Sequence, residues 1–341
     1  MSNQIDTPLC ISQTCNYMND KYSKVIKQVI KYKNEFPFNS TNKLSISRYC
    51  SQENFKFVIV GGHSECTEEV VRDAFIIDGT DFNSVNSLPR IDFGRYGSTV
   101  VCINGKTYVF GGYDDTEHPV MPVEKYSPDT NTWDVITQMY DNRECFCACL
   151  FIDSFYVLGG YLSDFTNSCL VFNEINKTWK NFARMNEFRD NASCVVFEGR
   201  IVVSGGYNNN DGRLNTVEAY DHIDDSWTQM PKMFKTRYSH KSVAIKNKLF
   251  IISGYNSHTI EVFDSSSKNF TLLQLPSTNL DSYYIADVTS IGNKVVLFSN
   301  YNGSVFFYDV ENDAWSEKSC EATKGIEYFS FTSLPQKNFL E

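Results

Sequence analysis

Cys145, Cys147 and Cys149 alternate along one apolar run, the spacing that aims strand side chains to one face. Three thiols on one face could take a soft metal ion, but such sites normally draw a fourth ligand from a turn or another strand. Matching stretches hold Gly97, Thr99 and Val101, or Asn191, Ser193 and Val195. Small residues filling a crowded strand therefore account for the cysteines better than zinc does. The five histidines, His63, His118, His222, His240 and His258, show no metal-protease spacing. No nucleophile elbow or phosphate-cradling glycine loop is present. The reading is non-enzymatic: no catalytic residue, cofactor or metal is expected.

What remains is contact chemistry. An aromatic ring follows a strand-like run and a glycine pair at His63, Tyr113, Tyr161 and Tyr207, and follows eroded copies at Tyr255 and Tyr301. Tyrosine gives a large rigid contact area, few rotatable bonds and a hydroxyl, which suits recognition. Acids crowd the segments that follow, among them Glu68 and Asp114. Glu144 and Asp190 come directly after arginines and should rise at the same rim. An acidic mouth would attract a basic peptide or segment and speed its encounter.

Those positions are set by a repeat. The first glycine position of each copy falls at Gly61, Gly111, Gly159, Gly205, Ser253 and Ser299, in steps of 50, 48, 46, 48 and 46 residues. An arginine stands 16 residues before the mark at Arg95, Arg143, Arg189 and Arg237, with Tyr283 in the next copy. Aromatic pairs seven apart recur at Tyr126/Trp133, Phe172/Trp179, Tyr220/Trp227, Phe263/Phe270 and Tyr308/Trp315, with a weak first equivalent in Phe75/Phe82. Met139, Met185 and Met233 sit between Trp and Arg. Each period holds about four β-prone runs, such as 98–103, 106–110, 123–126 and 132–136, separated by turn signals including Asn104-Gly105 and Pro128-Asp129.

These columns at a period near 50 resemble kelch repeats over about residues 57–334. The resemblance and the strand count imply an all-β fold, a six-bladed kelch β-propeller, whose radial repetition leaves only short protected edges. The first copy has no arginine-bearing strand upstream, and 326–334 is an unused strand-like stretch. By resemblance that stretch is the innermost strand of blade 1 and closes the ring. The glycines supply positive φ, the tryptophans cover neighbouring sheets, and one arginine can donate up to five hydrogen bonds.

The expected organisation is an N-terminal extension over 1–55, the propeller over 56–335 and a tail over 336–341. Within the extension, 20–36 places Tyr22, Val25, Ile26, Val29 and Ile30 on one helical face among lysines. That basic amphipathic helix docks a partner or another domain, or else packs on its own propeller or frays. The formal charge of −10 argues against a nucleic-acid or anionic-membrane surface. No apolar run is long enough for a membrane helix. Eleven scattered cysteines read as reduced thiols of a cytoplasmic protein.

The resemblance is to the kelch-like family, in which the propeller recognises substrates for cullin-type ubiquitin ligases. It implies a non-enzymatic protein–protein interaction module with a protein or peptide partner, in some relatives a ubiquitin-ligase component. No BTB domain is evident ahead of this propeller. Several kelch propellers bind actin, so an actin-binding cytoskeletal scaffold is the alternative.

Overall fold

The computed structural model describes residues 55–64, 69–79, 84–103, 105–152, 154–255, 257–275, 285–299, 303–320, 326–327 and 330–335. The helix expected over 20–36 lies outside the described residues, as do Glu68 and Tyr301. The described chain forms six four-stranded antiparallel sheets, the blades. Blade 2 shows the pattern: Thr99–Ile103 is innermost, followed outward by Lys106–Phe110, Pro122–Ser127 and Thr132–Gln138. Blades 3 to 6 begin with Cys147–Phe151, Ser193–Phe197, Lys241–Ile245 and Ile285–Ile291 as their innermost strands.

Blade 1 is assembled from both ends of the described chain. Phe55–Val60, Ala74–Asp78 and Val85–Leu88 supply three strands, and Ser330–Pro335 pairs with the first, Phe55 opposite Pro335 and Val60 opposite Ser330. The closing strand is therefore present where the sequence placed it, but it is shorter. Ile326–Glu327 makes a separate two-residue pairing with His63–Ser64. Neighbouring innermost strands touch all the way round, from blade 1 to blade 6 and back to blade 1.

A four-stranded sheet has two faces, and here each inner face meets the next blade. One apolar cluster fills each of the six blade–blade boundaries: Phe57 meets Phe298 between blades 1 and 6, and Phe110 meets Phe155 between blades 2 and 3. The aromatic pairs lie cross-strand, Tyr126 opposite Trp133 and Tyr220 opposite Trp227. Three indole N–H groups reach back to the preceding blade. Trp133 donates to the Pro89 carbonyl, Trp179 to Gln138 and Trp227 to Ala183, all at 2.9 Å. In blade 1 the matching cross-strand pair is Ile77 and Val85, while Phe82 of the expected Phe75/Phe82 pair lies outside the described residues. Phe75 stands opposite Ser87, because the strand register sets the pair and not the spacing alone.

The innermost strands enclose a narrow polar cavity of about 170 Å³, bordered by Thr99, Cys149, Ser242 and Thr289. Lys241 and Asp287 face each other across it at 3.8 Å.

The glycine marks are the turns the fold demands. Gly61, Gly111, Gly159 and Gly205 all have φ between 55° and 67°, a region that costs residues with a Cβ. A Cβ on Gly205 would stand 2.5 Å from the Arg237 carbonyl and 2.7 Å from the His240 ring. Gly205→Ala is expected to cost about 1–3 kcal/mol, read as a lowered urea midpoint at unchanged slope. An unchanged midpoint would show that the turn is permissive.

Candidate functional site

All second strands end, and all innermost strands begin, at one end of the propeller. The loops between second and third strands and the crossovers between blades lie at that end too. There the aromatic after the glycine turn of blades 2 to 5 meets the residue after that blade's column arginine, and His63 of blade 1 pairs with Glu327. Tyr113 exchanges backbone hydrogen bonds with Tyr96 (3.0 and 3.1 Å), Tyr161 with Glu144 (2.8 Å both ways) and Tyr207 with Asp190 (3.0 Å both ways). The Tyr255 amide donates to the Tyr238 carbonyl at 3.0 Å. Four of the six expected ring positions, with His63 as a fifth, are thus placed on one rim, together with Glu144 and Asp190.

The arginines hold this end together from below. Arg189 donates to the Gly205 and Thr216 carbonyls, to Thr216 Oγ1 and, through Nε and Nη2, to Glu218. Glu218 in turn accepts the Asn186 amide at 2.8 Å, which fixes the crossover from blade 3. Arg95 pairs with Glu124 and Arg237 with Glu261 in the same way, and all six of these side chains are fully buried. Burial alone would discharge both members, lowering Arg95 and raising Glu124, and each partner's charge pulls the other back. The glutamates lie two residues before the column aromatic, a column that the sequence reading passed over. Blade 3 has Leu170 there, and Arg143 turns instead to Asp141 at 2.7 Å and to Ser168.

Cys145 leaves the alternation expected of it. It precedes the strand Cys147–Phe151 and takes φ 52°, as Gly97 (62°), Asn191 (47°) and Ser239 (53°) do at the same place. These residues form a collar: the Asn191 amide donates to the Cys145 carbonyl (2.7 Å) and the Ser239 amide to Asn191 (2.8 Å). The shared left-handed backbone makes this column a turn ahead of the strand and not part of its alternation. The Cys145 thiol lies 3.2 Å from the Tyr113 hydroxyl, which is 3.5 Å from Glu144 Oε2. Burial pushes both the Tyr113 phenol and the Cys145 thiol above their ordinary ranges, so both keep their protons. Cys147 and Cys149 are buried in the boundary core of blades 3 and 4. Among the described residues no group of three histidines, cysteines or acids is placed to hold a metal ion.

Asp190 is the unusual acid. It is half-buried, its Oδ1 has no hydrogen-bond partner, and desolvation pushes its carboxyl up to about 6. Asp114, by contrast, is committed to its own loop. It accepts from the Thr116 amide and hydroxyl and from the His118 amide, which hold it below the usual carboxylate range. Asp115 accepts the Val70 amide and so ties the blade 2 loop to blade 1.

The rings form two runs along the rim. His63, Tyr96 and Tyr113 touch in sequence over blades 1 and 2. Tyr161, Phe165, Tyr207, Tyr238 and Tyr255 do so over blades 3 to 5. The exposed Arg213 lies over both Tyr238 (5.5 Å) and Tyr255 (5.1 Å). Tyr96 and Tyr238 occupy the same column as Glu144 and Asp190, so the sequence did hold their signal. Outside the rim, each of four crossovers presents an aromatic to solvent: Phe93 (43% exposed), Tyr140 (62%), Phe188 (44%) and Phe234 (61%). Their distance from the arginine varies, which hid them. A cavity of about 450 Å³ opens beside Phe93, lined by Arg72, Asp92, Asp115 and Met121.

Six radial four-stranded sheets joined into a ring, with an aromatic rim at one end, define a six-bladed β-propeller. A family model described as the KLHDC2/KLHL20/DRC7 Kelch-repeats domain matches residues 49–254 and 97–300, and the chain belongs to that kelch-repeat family. It is similar to human Kelch-like protein 23 (28% identical over 129 residues, 37% of this chain and 22% of that protein). It is also similar to F-box/kelch-repeat protein SKIP20 of Arabidopsis thaliana (28% over 152 residues, 41% and 36%). A third relative is Kelch repeat and BTB domain-containing protein 1 of cowpox virus (24% over 208 residues, 54% and 37%). The matched regions thus span between 22% and 37% of the length of these relatives.

Proposed function

We propose that the aromatic rim is a protein-recognition surface and that this propeller acts without catalysing a reaction. The observation that carries the reading is the run of touching rings from Tyr161 to Tyr255, ringed by four exposed crossover aromatics. Aromatic side chains on a rigid scaffold are the anchors that dominate binding energy in protein interfaces. The groups nearest the mouth, a protonated phenol, a protonated thiol and two carboxylates, supply contacts. Kelch-like, F-box and BTB relatives support a substrate-recognition role beside a ubiquitin ligase, with the rim holding the client. The acidic rim favours a basic segment of that client. It is a poor match for an acidic filament such as actin.

Affinity capture from cells tests the surface. The variant with Tyr113, Tyr161 and Tyr207 all changed to Ala should lose at least tenfold of its captured partners, since such anchors are each worth about 2 kcal/mol or more. Its thermal midpoint should be compared with that of the unaltered protein. Equal recovery of the same partners by both proteins would move the binding face elsewhere.

A further inference from the structure

We propose that the mouth between Glu144 and Asp190 is the seat for an arginine side chain of the bound partner, with the rings of Tyr113, Tyr207 and Tyr238 as its walls. This rests on reading the rim as the partner-binding surface and adds which chemical group enters at its centre.

Three independent observations converge on a guanidinium. Glu144 and Asp190 hold the same column position in adjacent blades, joined by the hydrogen bond between Cys145 and Asn191. Asp190 Oδ1 is buried and accepts no hydrogen bond, and a buried acceptor left unmet costs free energy until a donor arrives. The same ring of aromatics already carries a guanidinium: Arg213 lies over Tyr238 and Tyr255. That contact shows what these rings accept on their faces. Arginine fits better than lysine, because a planar fork can bond two carboxylates and stack on phenols at once.

The groups facing Asp190 make its charge sensitive to a visiting cation. Tyr207 and Asn191 belong to its own blade, and the Asn191 side chain bonds its carboxyl; Cys145, which also lies near Glu144, comes from blade 3, and Tyr238, under Arg213, comes from blade 5. Cys145 and Tyr238 are neutral when protonated and Glu144 is itself an acid, so none of these pairs with Asp190 as a cation would. Asp190 binds its proton more tightly folded than unfolded, about 6 against the ordinary 3.8. The free protein therefore loses stability as pH rises through roughly 4 to 6. A bound guanidinium favours the charged form, so its affinity should climb over the same window.

The test titrates a fluorescent octa-arginine peptide, and its octa-citrulline counterpart, into the full chain by anisotropy. The protein should bind octa-arginine at least tenfold more tightly than octa-citrulline, and several-fold more tightly at pH 7.5 than at pH 5. Asp190→Asn with Glu144→Gln should weaken octa-arginine at least tenfold, whereas Asp129→Asn at the opposite end should not. Asp190→Asn alone should flatten the pH profile and raise the melting midpoint at pH 7.5, showing that the loss of binding is not a loss of fold. Equal weakening by Asp129→Asn would mean diffuse attraction only and overturn the seat, as would unchanged affinity in the double variant. If the triple tyrosine variant loses its captured partners while octa-arginine ignores both carboxylates, the rim stands and the arginine seat falls.

Discussion

Arg189→Ala is expected to lower the free energy of unfolding by about 3–5 kcal/mol, the range for removing one member of a buried ion pair. The substitution removes five hydrogen bonds and strands Glu218, which has no solvent exposure, as an uncompensated charge. It also frees the crossover that Glu218 pins through the Asn186 amide. Urea unfolding of Arg189→Ala, Glu218→Ala and the double replacement Arg189→Met with Glu218→Leu separates the causes. The double replacement should recover most of the loss, because apolar groups of similar volume leave no charge behind. If it is as unstable as the single variants, the damage comes from lost packing and not from the stranded charge. Arg143→Ala should cost less than Arg189→Ala: its partner Asp141 keeps 21% exposure and can rehydrate.

Removing residues 326–341 should abolish the single cooperative unfolding transition. The deletion takes away the innermost strand of blade 1, whose six residues pair with Phe55–Val60. It also removes that strand's contacts with the innermost strands of blades 2 and 6. The backbone of Phe55–Val60 is then left on an open edge, a template for association. Calorimetry and size-exclusion chromatography of the truncated chain should show a broad early transition and larger species. A synthetic 326–341 peptide added in trans should restore part of the midpoint. A truncated chain that melts like the intact one would mean that five complete blades hold the ring without the clasp.

The fold was legible because a propeller repeats its demands. Gly205 needs positive φ, Trp227 needs a carbonyl in the preceding blade, and Arg189 needs the ends of two strands, so each recurs at a fixed distance. The buried glutamates were not legible for a physical reason. In a strand such as Pro122–Ser127, Glu124 next to Lys125 looks like a solvated charge, and only the three-dimensional placement of Arg95 beside it makes burial affordable. Cys145 misled for a similar reason: alternation describes a strand, and the chain at Cys145 has already left the strand for the left-handed region. The rim was half visible. The column after the glycines named Tyr113, Tyr161, Tyr207 and Tyr255. The column after the arginines yielded its two acids, Glu144 and Asp190, while its tyrosines, Tyr96 and Tyr238, were overlooked. Phe93, Tyr140, Phe188 and Phe234 sit at no constant spacing, and exposure is a property that spacing does not encode.

The clasp in blade 1 also governs the order in which this protein is made. Blades 2 to 6 are each built from contiguous residues, so each can form soon after it leaves the ribosome. Blade 1 cannot, since Phe55 must wait for Pro335. At about 5–20 residues per second, translation of the intervening chain takes roughly 14–56 s. Throughout that interval the Phe55–Val60 strand is an unfinished edge next to a growing stack of finished blades. Variants that slow synthesis between blades 2 and 6 lengthen this exposure without altering a single native contact. Chaperone dependence in the cell should therefore follow the translation time of the middle blades more closely than it follows the stability of the finished ring.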